Sequence, residues 1–368
     1  MGEKVDMSGQ NSKPDMPSLP GLLGDKDRIL REDNRVDPRI IKVLEPFGLD
    51  GAQPISAIDH SSSLDEQLLF SSETESFFHQ IDESITNNVA PIEGIERSTE
   101  VIQGPDGNDI KLYIHKPAHS SDAMPCIYHT HGGGMVILQG SMGIYSHWRD
   151  RLSAAGMVVV GVEFRNGAGA LGNHPFPAGL SDCMAGLDWV YANKTSLGVS
   201  KIVLSGESGG GNLALALTLR AKKEGQLDKV QGTYALCPYI YGNYGTKPSE
   251  LVSLFENDGY FLGAQSMGVL AAVYDPSRGN AVNPLCWPYH ASVAELKDLP
   301  PHVISVNELD PLRDEGLAYF RKLMQAGVDA RGRTVNGTVH AADVLFPNAI
   351  PEITDTTIMD IASFARSL

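Results

Sequence analysis

Basic residues and long apolar runs are scarce in this 368-residue sequence. There are 29 Lys and Arg against 45 Asp and Glu, which gives a formal net charge of -16. A nucleic-acid-binding surface needs a basic face, so this balance argues against a nucleic-acid partner. No apolar run approaches the roughly 18 residues that span a bilayer, so no membrane partner is expected.

Cysteine is also scarce, and the four cysteines are far apart. Cys126, Cys183, Cys237 and Cys286 form no C-x-x-C pair, and three of them lie in apolar segments, where a free thiol behaves as a small buried hydrophobe. The first thirty residues contain no continuous apolar segment of the signal-peptide kind. Reduced thiols and the lack of a signal peptide predict a cytoplasmic protein.

The residue patterns divide the chain into three regions. Residues 1–24 are polar and rich in Pro and Gly, so we expect a mobile segment. Residues 25–93 carry helical signals without strand alternation, most clearly at 61–85, where apolar residues recur at three- and four-residue spacings. Such an amphipathic helix usually packs on its own domain, but it could instead dock another protein or a second copy, which leaves a homodimer as an alternative. Residues 94–368 form the third region.

The third region has the alternating pattern of an α/β protein. Two strand patterns around a Pro-Asp-Gly turn predict a hairpin at 96–117. Residues 157–164 are apolar on both faces, as in a parallel strand covered by helices. The alternation predicts a mainly parallel, eight-stranded sheet flanked by helices. The other strand patterns are 126–129, 201–205, 232–236, 302–306 and 330–335, and the helical patterns are 146–155, 180–193, 210–223, 314–326 and 353–367.

One interval interrupts this alternation. Over sixty residues separate the strand ending near Leu236 from the strand beginning at His302, and residues 249–275 predict one or two helices. A long insertion at the carboxyl end of a sheet strand is typical of a lid over a binding site. We therefore expect a helical insertion at about 240–283.

A serine between glycines marks the junction of an apolar strand and a helix. Residues 206–210 read Gly-Glu-Ser-Gly-Gly, which is the G-x-S-x-G pattern of a nucleophile elbow. The sharp turn would expose Ser208 at the carboxyl edge of the sheet, and the helix that starts there favours negative charge near its N-terminus. Ser208 is therefore the predicted nucleophile, the alternative being a plain glycine-rich turn.

Three consecutive glycines end an earlier apolar strand, in the sequence HGGG at 131–134. Glycines let backbone N–H groups point into a cavity, and an HGGG-type loop supplies donors to an oxyanion together with the residue after the nucleophile. The predicted donors are Gly133, Gly134 and Gly209. Each donor of this kind lowers a reaction barrier by roughly 3 to 4 kcal/mol.

Two histidines precede these glycines. His129 and His131 are two residues apart and lack a third ligand nearby in the chain, which is a weak metal signal. We interpret His131 as a residue that shapes the loop by hydrogen bonding to nearby backbone. Neither a metal nor a cofactor is expected.

A base and an acid follow the serine in the order Ser, acid, His that α/β hydrolases use. Asp310 lies in the loop after the strand at 302–306 and is followed by Pro311, and His340 lies in the loop after the last strand. All three residues fall just past a strand, so they would meet at one edge of the sheet. Asp310 would hold the imidazole tautomer, and His340 would accept the Ser208 proton and return it to the leaving alcohol.

Other acids near this position are rivals for the role. Glu308 lies at the end of the strand and could point elsewhere, Asp314 is expected to open the next helix, and Asp343 follows the histidine. No other histidine follows Asp310, so His340 has no competitor in the chain order. We interpret Glu207 as structural, bonding the elbow or neighbouring loops.

The motifs HGGG, GESGGGN, DPLRDE and the late histidine resemble those of the bacterial hormone-sensitive-lipase-like esterases, also called family IV. The resemblance covers about residues 94–368. It implies an α/β-hydrolase fold with a helical cap made of the N-terminal segment plus an insertion, and hydrolysis of carboxylic esters without a metal or cofactor. We expect a small-molecule ester of short to medium acyl length as substrate; the alternatives are a lactone or an amide, or a non-catalytic binding protein on the same scaffold.

The sequence departs from the family pattern in three places. Glu207 stands where the family usually has Asp, and Gly209 stands where it usually has Ala. Residues 164–177 form a longer, glycine-rich version of a stretch that commonly reads YRLAPEHPFP. Three further residues are predicted to line the substrate pocket, namely Met135, Tyr239 and Phe261.

Overall fold

The computed structural model describes residues 18–53, 56–87, 89–118 and 122–368. Eight strands form one sheet: β1 (Ile95–Gln103), β2 (Asp109–Pro117), β3 (Met124–Thr130), β4 (Val158–Val162), β5 (Val199–Glu207), β6 (Gly232–Leu236), β7 (His302–Asn307) and β8 (Ala330–Val335). Their order is β1-β2-β4-β3-β5-β6-β7-β8. β2 pairs antiparallel with β1 and with β4, and the other neighbours are parallel. The predicted mainly parallel, eight-stranded sheet is confirmed.

Helices cover both faces of the sheet. Among the described residues they are α1 (Gly21–Gly24), α2 (Pro38–Leu44), α3 (Leu64–Thr86), α4 (Gly143–Ala154), α5 (Ala178–Ala192), α6 (Lys194–Leu197), α7 (Gly209–Lys223), α8 (Ser253–Glu256), α9 (Ala264–Tyr274), α10 (Val293–Leu296), α11 (Arg313–Gln325), α12 (Ala342–Leu345) and α13 (Pro351–Ser367). The strands and long helices predicted from the sequence are confirmed, with bounds that differ by up to about three residues.

The core lies between the sheet and these helices. Successive residues of β3 enter opposite layers: Tyr128 packs in a cluster with residues of α5 and α7, and Ile127 packs in a cluster with residues of α4 and α13. Such alternation follows from the two-residue period of a strand. β4 reads VVVGV and is buried along its whole length, as expected for a parallel strand between two helical layers.

The N-terminal region and the long insertion pack against each other. Helix α3 begins with a capping box between Ser63 and Glu66, runs for 23 residues and packs against α9 of the insertion and against α4. A shared apolar cluster joins Leu44 and Ile81 of the N-terminal region to Phe261 of the insertion. The predicted mobile segment falls mostly outside the described residues, which begin at residue 18 and soon enter α1. Within the described part of the chain, no helix combines the length and apolarity needed to cross a membrane.

Candidate active site

Ser208 occupies the sharp turn between β5 and α7. Its backbone has φ 58° and ψ −121°, a strained conformation for a residue with a side chain. The turn fits because its glycines lie against β3: a Cβ on Gly210 would lie 1.9 Å from the carbonyl oxygen of Thr130, and one on Gly206 would lie 2.4 Å from it. The Ser208 N–H donates to the Leu236 carbonyl at the end of β6, 3.0 Å away. The elbow predicted from G-x-S-x-G is therefore present.

His340 and Asp310 form a buried hydrogen-bonded pair. The distance from His340 Nδ1 to Asp310 Oδ2 is 2.8 Å, and the residues are 4% and 0% exposed. The other carboxylate oxygen of Asp310 accepts from the backbone N–H of Leu312 at 2.9 Å, which fixes the orientation of the carboxylate. Because Nδ1 is engaged, Nε2 is the ring nitrogen left for chemistry in the cavity that His340 and Ser208 both line.

The three rival acids have other partners. Glu308 accepts a hydrogen bond from the backbone N–H of Gly337 at 2.9 Å, and Asp343 accepts one from the Thr357 hydroxyl at 2.7 Å. Asp314 lies in the first turn of α11, where a carboxylate is stabilising on structural grounds alone. The acid bonded to the histidine is Asp310.

The HGGG loop runs beside the elbow. Gly133 and Gly134 have φ values of 94° and 64°, and both line the cavity with Ser208. A Cβ on Gly133 would lie 2.1 Å from the Ile137 carbonyl oxygen, so only glycine fits there. A Cβ on Gly209 would lie 2.7 Å from the backbone nitrogen of Gly134. The backbones of Gly209 and Gly134, two of the three predicted oxyanion donors, therefore lie against each other, and Gly133 precedes Gly134 in the chain.

Glu207 holds the start of that loop. Its Oε1 accepts from the backbone N–H of Gly132 at 2.7 Å, and its Oε2 lies 2.9 Å from His129 Nε2. Glu207 and His129 are each 1% exposed. The interpretation of Glu207 as a residue that bonds a neighbouring loop is confirmed.

His131 shapes the same loop. Its Nδ1 lies 2.9 Å from the carbonyl oxygen of Gly132, and its ring stacks on Phe164 with centroids 4.3 Å apart. Burial lowers the pKa of His131 below its usual value, which favours a neutral ring. These contacts confirm its loop-shaping role.

One group of residues could in principle hold a metal. The ligand atoms of Cys237, Asp310 and His340 lie within 4.8 Å of one another. Burial raises the pKa of the Cys237 thiol well above its ordinary value, which disfavours the thiolate that a metal needs. Two of the three groups already bond each other, because His340 Nδ1 lies 2.8 Å from Asp310 Oδ2.

The cavity over Ser208 has a volume of about 210 Å³. Of the three predicted pocket residues, Tyr239 and Phe261 line it, whereas Met135 is buried in the core with its backbone nitrogen close to Gly209. The N-terminal region and the insertion supply much of the wall. The residues that they contribute are Leu49, Phe70, Thr74, Phe77, Phe78, Phe261, Leu262, Gly263, Ser266, Met267 and Leu270.

The sequence patterns did not predict the roles of two buried carboxylates near the site. Glu315 accepts hydrogen bonds from the backbone N–H groups of Ile240 and Tyr241 and from the Tyr244 hydroxyl, so it holds the loop that follows β6. Burial raises the pKa of Glu315 to about 8. Its place in DPLRDE was a signal that could have found it. Glu75 of α3 gave no such signal, because a carboxylate in an amphipathic helix is expected to face solvent.

Comparison with known proteins places these features in a family. A family model described as alpha/beta hydrolase fold matches residues 127–343. The solved structure of brefeldin A esterase, titled a bacterial homologue of human hormone sensitive lipase, is 43% identical with a TM-score of 0.91, covering 95% of this chain and 98% of that chain. The structure of esterase Est22 is 36% identical with a TM-score of 0.82, covering 92% and 99%.

A curated relative agrees with these structures. Carboxylesterase NlhH of Mycobacterium tuberculosis is 29% identical over 280 residues, which cover 74% of this chain and 83% of the relative. Fold, motifs and relatives lead to one assignment. The chain belongs to the α/β-hydrolase superfamily and, within it, to the bacterial esterases that resemble hormone-sensitive lipase.

Proposed function

We propose that this esterase hydrolyses short- to medium-chain carboxylic esters through Ser208, His340 and Asp310. The observation that carries the proposal is the 2.8 Å bond between His340 and Asp310 beside a cavity that also contains Ser208. A base held in one tautomer beside a strained serine is the arrangement that activates a hydroxyl nucleophile.

Each step of the reaction has a residue for it. Ser208 Oγ attacks the ester carbonyl carbon while His340 Nε2 accepts the hydroxyl proton. The carbonyl oxygen becomes an oxyanion, which the backbone N–H groups of Gly133, Gly134 and Gly209 stabilise. The C–O bond then breaks, and His340 gives its proton to the leaving alcohol.

Hydrolysis of the acyl-enzyme repeats these steps with water. His340 removes a proton from water, which attacks the acyl carbon, and the second tetrahedral intermediate occupies the same oxyanion site. The ester bond to Ser208 breaks, and the carboxylic acid is released as the serine recovers its proton. Asp310 keeps Nδ1 of the ring protonated throughout.

We further propose that residues 25–93 and about 240–283 form a cap that selects the acyl chain. Phe70 and Phe78 of α3 face the cavity from one region, and Phe261 and Leu270 face it from the other. A volume of about 210 Å³ is below the roughly 300 to 1,000 Å³ of drug-sized sites, which supports short to medium chains.

Two further proposals concern the environment of the chain. All four cysteines are unpaired and buried, in keeping with a cytoplasmic location where thiols stay reduced. The homodimer left open by the sequence is to be tested by light scattering at several protein concentrations.

The test is hydrolysis of p-nitrophenyl esters from acetate to palmitate by the wild type and by Ser208→Ala. We expect a rate maximum at short or medium chains and loss of turnover in the variant with its fold retained. Matched anilides measure any amide cleavage. Turnover retained by a folded Ser208→Ala protein would refute the nucleophile assignment.

A further inference from the structure

A carboxylate of the N-terminal region reaches the segment that carries the oxyanion donors. Glu75 of α3 is 5% exposed. Its Oε1 accepts from the backbone N–H of Leu138 at 2.8 Å and from Gln139 Nε2 at 2.6 Å, and its Oε2 accepts from the backbone N–H of Ala170 at 2.7 Å. Hydrogen bonds to an ionised group are stronger than neutral ones, so these bonds join three separate parts of the chain firmly.

The segment that donates a hydrogen bond to Glu75 Oε1 contains strained backbone angles. Residues 133–138, here called the oxyanion segment, contain Gly133 and Gly134 at positive φ and two non-glycine residues in the same region, Met135 at φ 62° and Leu138 at φ 75°. Residues with a side chain rarely adopt such φ angles, and these angles persist only where the surrounding structure stabilises them. The hydrogen bond from the Leu138 N–H to Glu75 is one such stabilising contact.

The loop that donates a hydrogen bond to Glu75 Oε2 also bonds the oxyanion segment. In this glycine-rich loop (residues 164–177), the backbone N–H groups of Gly167 and Ala168 donate to the carbonyls of Met135 and Val136 at 2.9 and 2.8 Å. A Cβ on Gly169, which has φ 72°, would lie 2.5 Å from Glu75 Oε2. The loop in which this sequence departs from the family pattern therefore leaves room for the Glu75 carboxylate.

The helix that carries Glu75 also faces the substrate cavity. Thr74 precedes Glu75 in the chain, Phe78 follows it by three residues, and both line the cavity together with Gly133 and Gly134. One turn of α3 thus touches the place where an ester would lie and the segment that would bind its oxyanion.

We propose that Glu75 is a positioning residue for the oxyanion hole. Through it, the positions of the oxyanion-donating N–H groups depend on how α3 packs against the rest of the protein. The carboxylate links α3, the oxyanion segment and the glycine-rich loop, and so holds the N–H groups of Gly133 and Gly134 towards Ser208. This inference rests on the proposed function. Its consequence is that a residue of the N-terminal region contributes to the chemical step and not only to substrate fit.

The test uses Glu75→Gln in the full chain. A glutamine has one acceptor oxygen, so it keeps the bonds at the Oε1 position and presents an NH₂ group to the Ala170 N–H, where two donors then oppose each other. With p-nitrophenyl butyrate we expect kcat to fall by about 10- to 100-fold and KM to change by less than about threefold, because small errors in donor position cost rate. Glu73→Gln is the matched control, since it removes the same charge from an exposed position of α3.

A second readout separates positioning from general damage. An alkyl trifluoromethyl ketone forms a tetrahedral adduct with a serine and so needs the oxyanion hole, whereas the corresponding carbinol forms no adduct. We expect Glu75→Gln to weaken ketone inhibition by the same factor as kcat/KM and to leave carbinol binding unchanged. A purely structural role would weaken both ligands or neither.

A second variant tests the same contact if Glu75→Gln fails to fold. Gly169→Ala inserts a methyl group at the carboxylate, and Gly107→Ala adds the same group at a similar φ of 79° with nothing within 4 Å. We expect only Gly169→Ala to lower kcat. Double substitution of Glu75→Ala and Gly169→Ala should be no worse than Glu75→Ala, because both act on one contact.

The outcomes separate this inference from the proposed function. A wild type without Ser208-dependent turnover refutes the proposed function and the inference with it. A wild type that needs Ser208, together with Glu75→Gln and Gly169→Ala proteins whose kcat stays within about twofold of their controls, refutes the inference alone. A kcat loss that equals the unfolded fraction at the assay temperature also refutes it.

Discussion

His340 Nδ1 donates to Asp310 Oδ2 over 2.8 Å, although 30 positions separate the two residues in the chain. Each follows one of two neighbouring parallel strands, β7 and β8, so the pairing of those strands places both loops at the same sheet edge. Burial of both groups removes competing water, which strengthens their hydrogen bond and fixes the ring tautomer.

Asp310→Asn should lower kcat by about 10⁴-fold with little loss of fold, because an amide stabilises the wrong imidazole tautomer. Single-turnover kinetics with p-nitrophenyl butyrate and circular dichroism measure the two effects. Glu308→Gln is the control, since Glu308 bonds Gly337 instead of the histidine, and its kcat should stay within about tenfold of wild type. Equal losses in both variants would reject Asp310 as the orienting acid.

Glu207→Ala should lower the free energy of unfolding by about 1 to 3 kcal/mol, because it leaves the buried N–H of Gly132 without its acceptor. The same change should reduce kcat, since Gly132 precedes the oxyanion donors. Urea unfolding and steady-state kinetics provide the measurements. Glu224→Ala removes an exposed partner of Arg220 and should change stability by less than about 0.5 kcal/mol. A Glu207→Ala protein as stable as this control would contradict the prediction.

Glu315 should make the protein less stable as pH rises from about 4.5 to about 8. Burial raises its pKa in the folded state, so across this window the unfolded chain has lost the proton that the folded chain keeps. The slope from this group is at most about 1.4 kcal/mol per pH unit and vanishes above the folded pKa. The Glu315→Gln substitution removes this contribution to the pH dependence of stability.

Urea unfolding of the wild type and of Glu315→Gln between pH 5 and 9 gives the comparison. Because all other groups are shared, the stability difference between the two proteins should change steadily across the window in favour of the variant at high pH. A difference that stays constant with pH would mean that Glu315 titrates alike in both states.

Leu345→Ala should move the acyl-length optimum to longer chains. Leu345 and Ile144 line both the cavity over Ser208 and a neighbouring cavity of about 130 Å³, so the two residues stand between them. Truncating Leu345 to Ala opens the second space, and each added substrate methylene buried there contributes about 0.8 kcal/mol, or roughly fourfold in kcat/KM.

The ratio of kcat/KM for octanoate to that for butyrate measures this shift. Leu69→Ala is the control, because Leu69 is 60% exposed and should leave the ratio unchanged. An unchanged ratio in Leu345→Ala would show that the second cavity takes no part in substrate binding.

Much of the fold could be read from local patterns. The two-residue and 3.6-residue periods predicted the strands and helices, and the turn chemistry of Pro-Asp-Gly predicted the hairpin between β1 and β2. Glycines also revealed the site: Gly206 and Gly210 had to be glycine because β3 lies against the turn, and that need is visible as G-x-S-x-G. Periodicity and glycine requirements are properties of short stretches.

Other features depended on which distant segments meet. Met135 looked like a pocket residue beside the HGGG loop, yet its backbone bends at φ 62° and its side chain enters the core. The cavity wall joins α3 to an insertion almost two hundred positions later, a pairing that no local pattern encodes.

The sequence alone therefore determined the sheet, the elbow at Ser208 and the chain order of Asp310 and His340, because each is written in neighbouring residues. Only the tertiary structure decided the partners of the buried carboxylates Glu75 and Glu315. A carboxylate in a helix normally faces water, and burial is stable only where distant backbone N–H groups converge on it. That convergence exists only once the chain has folded.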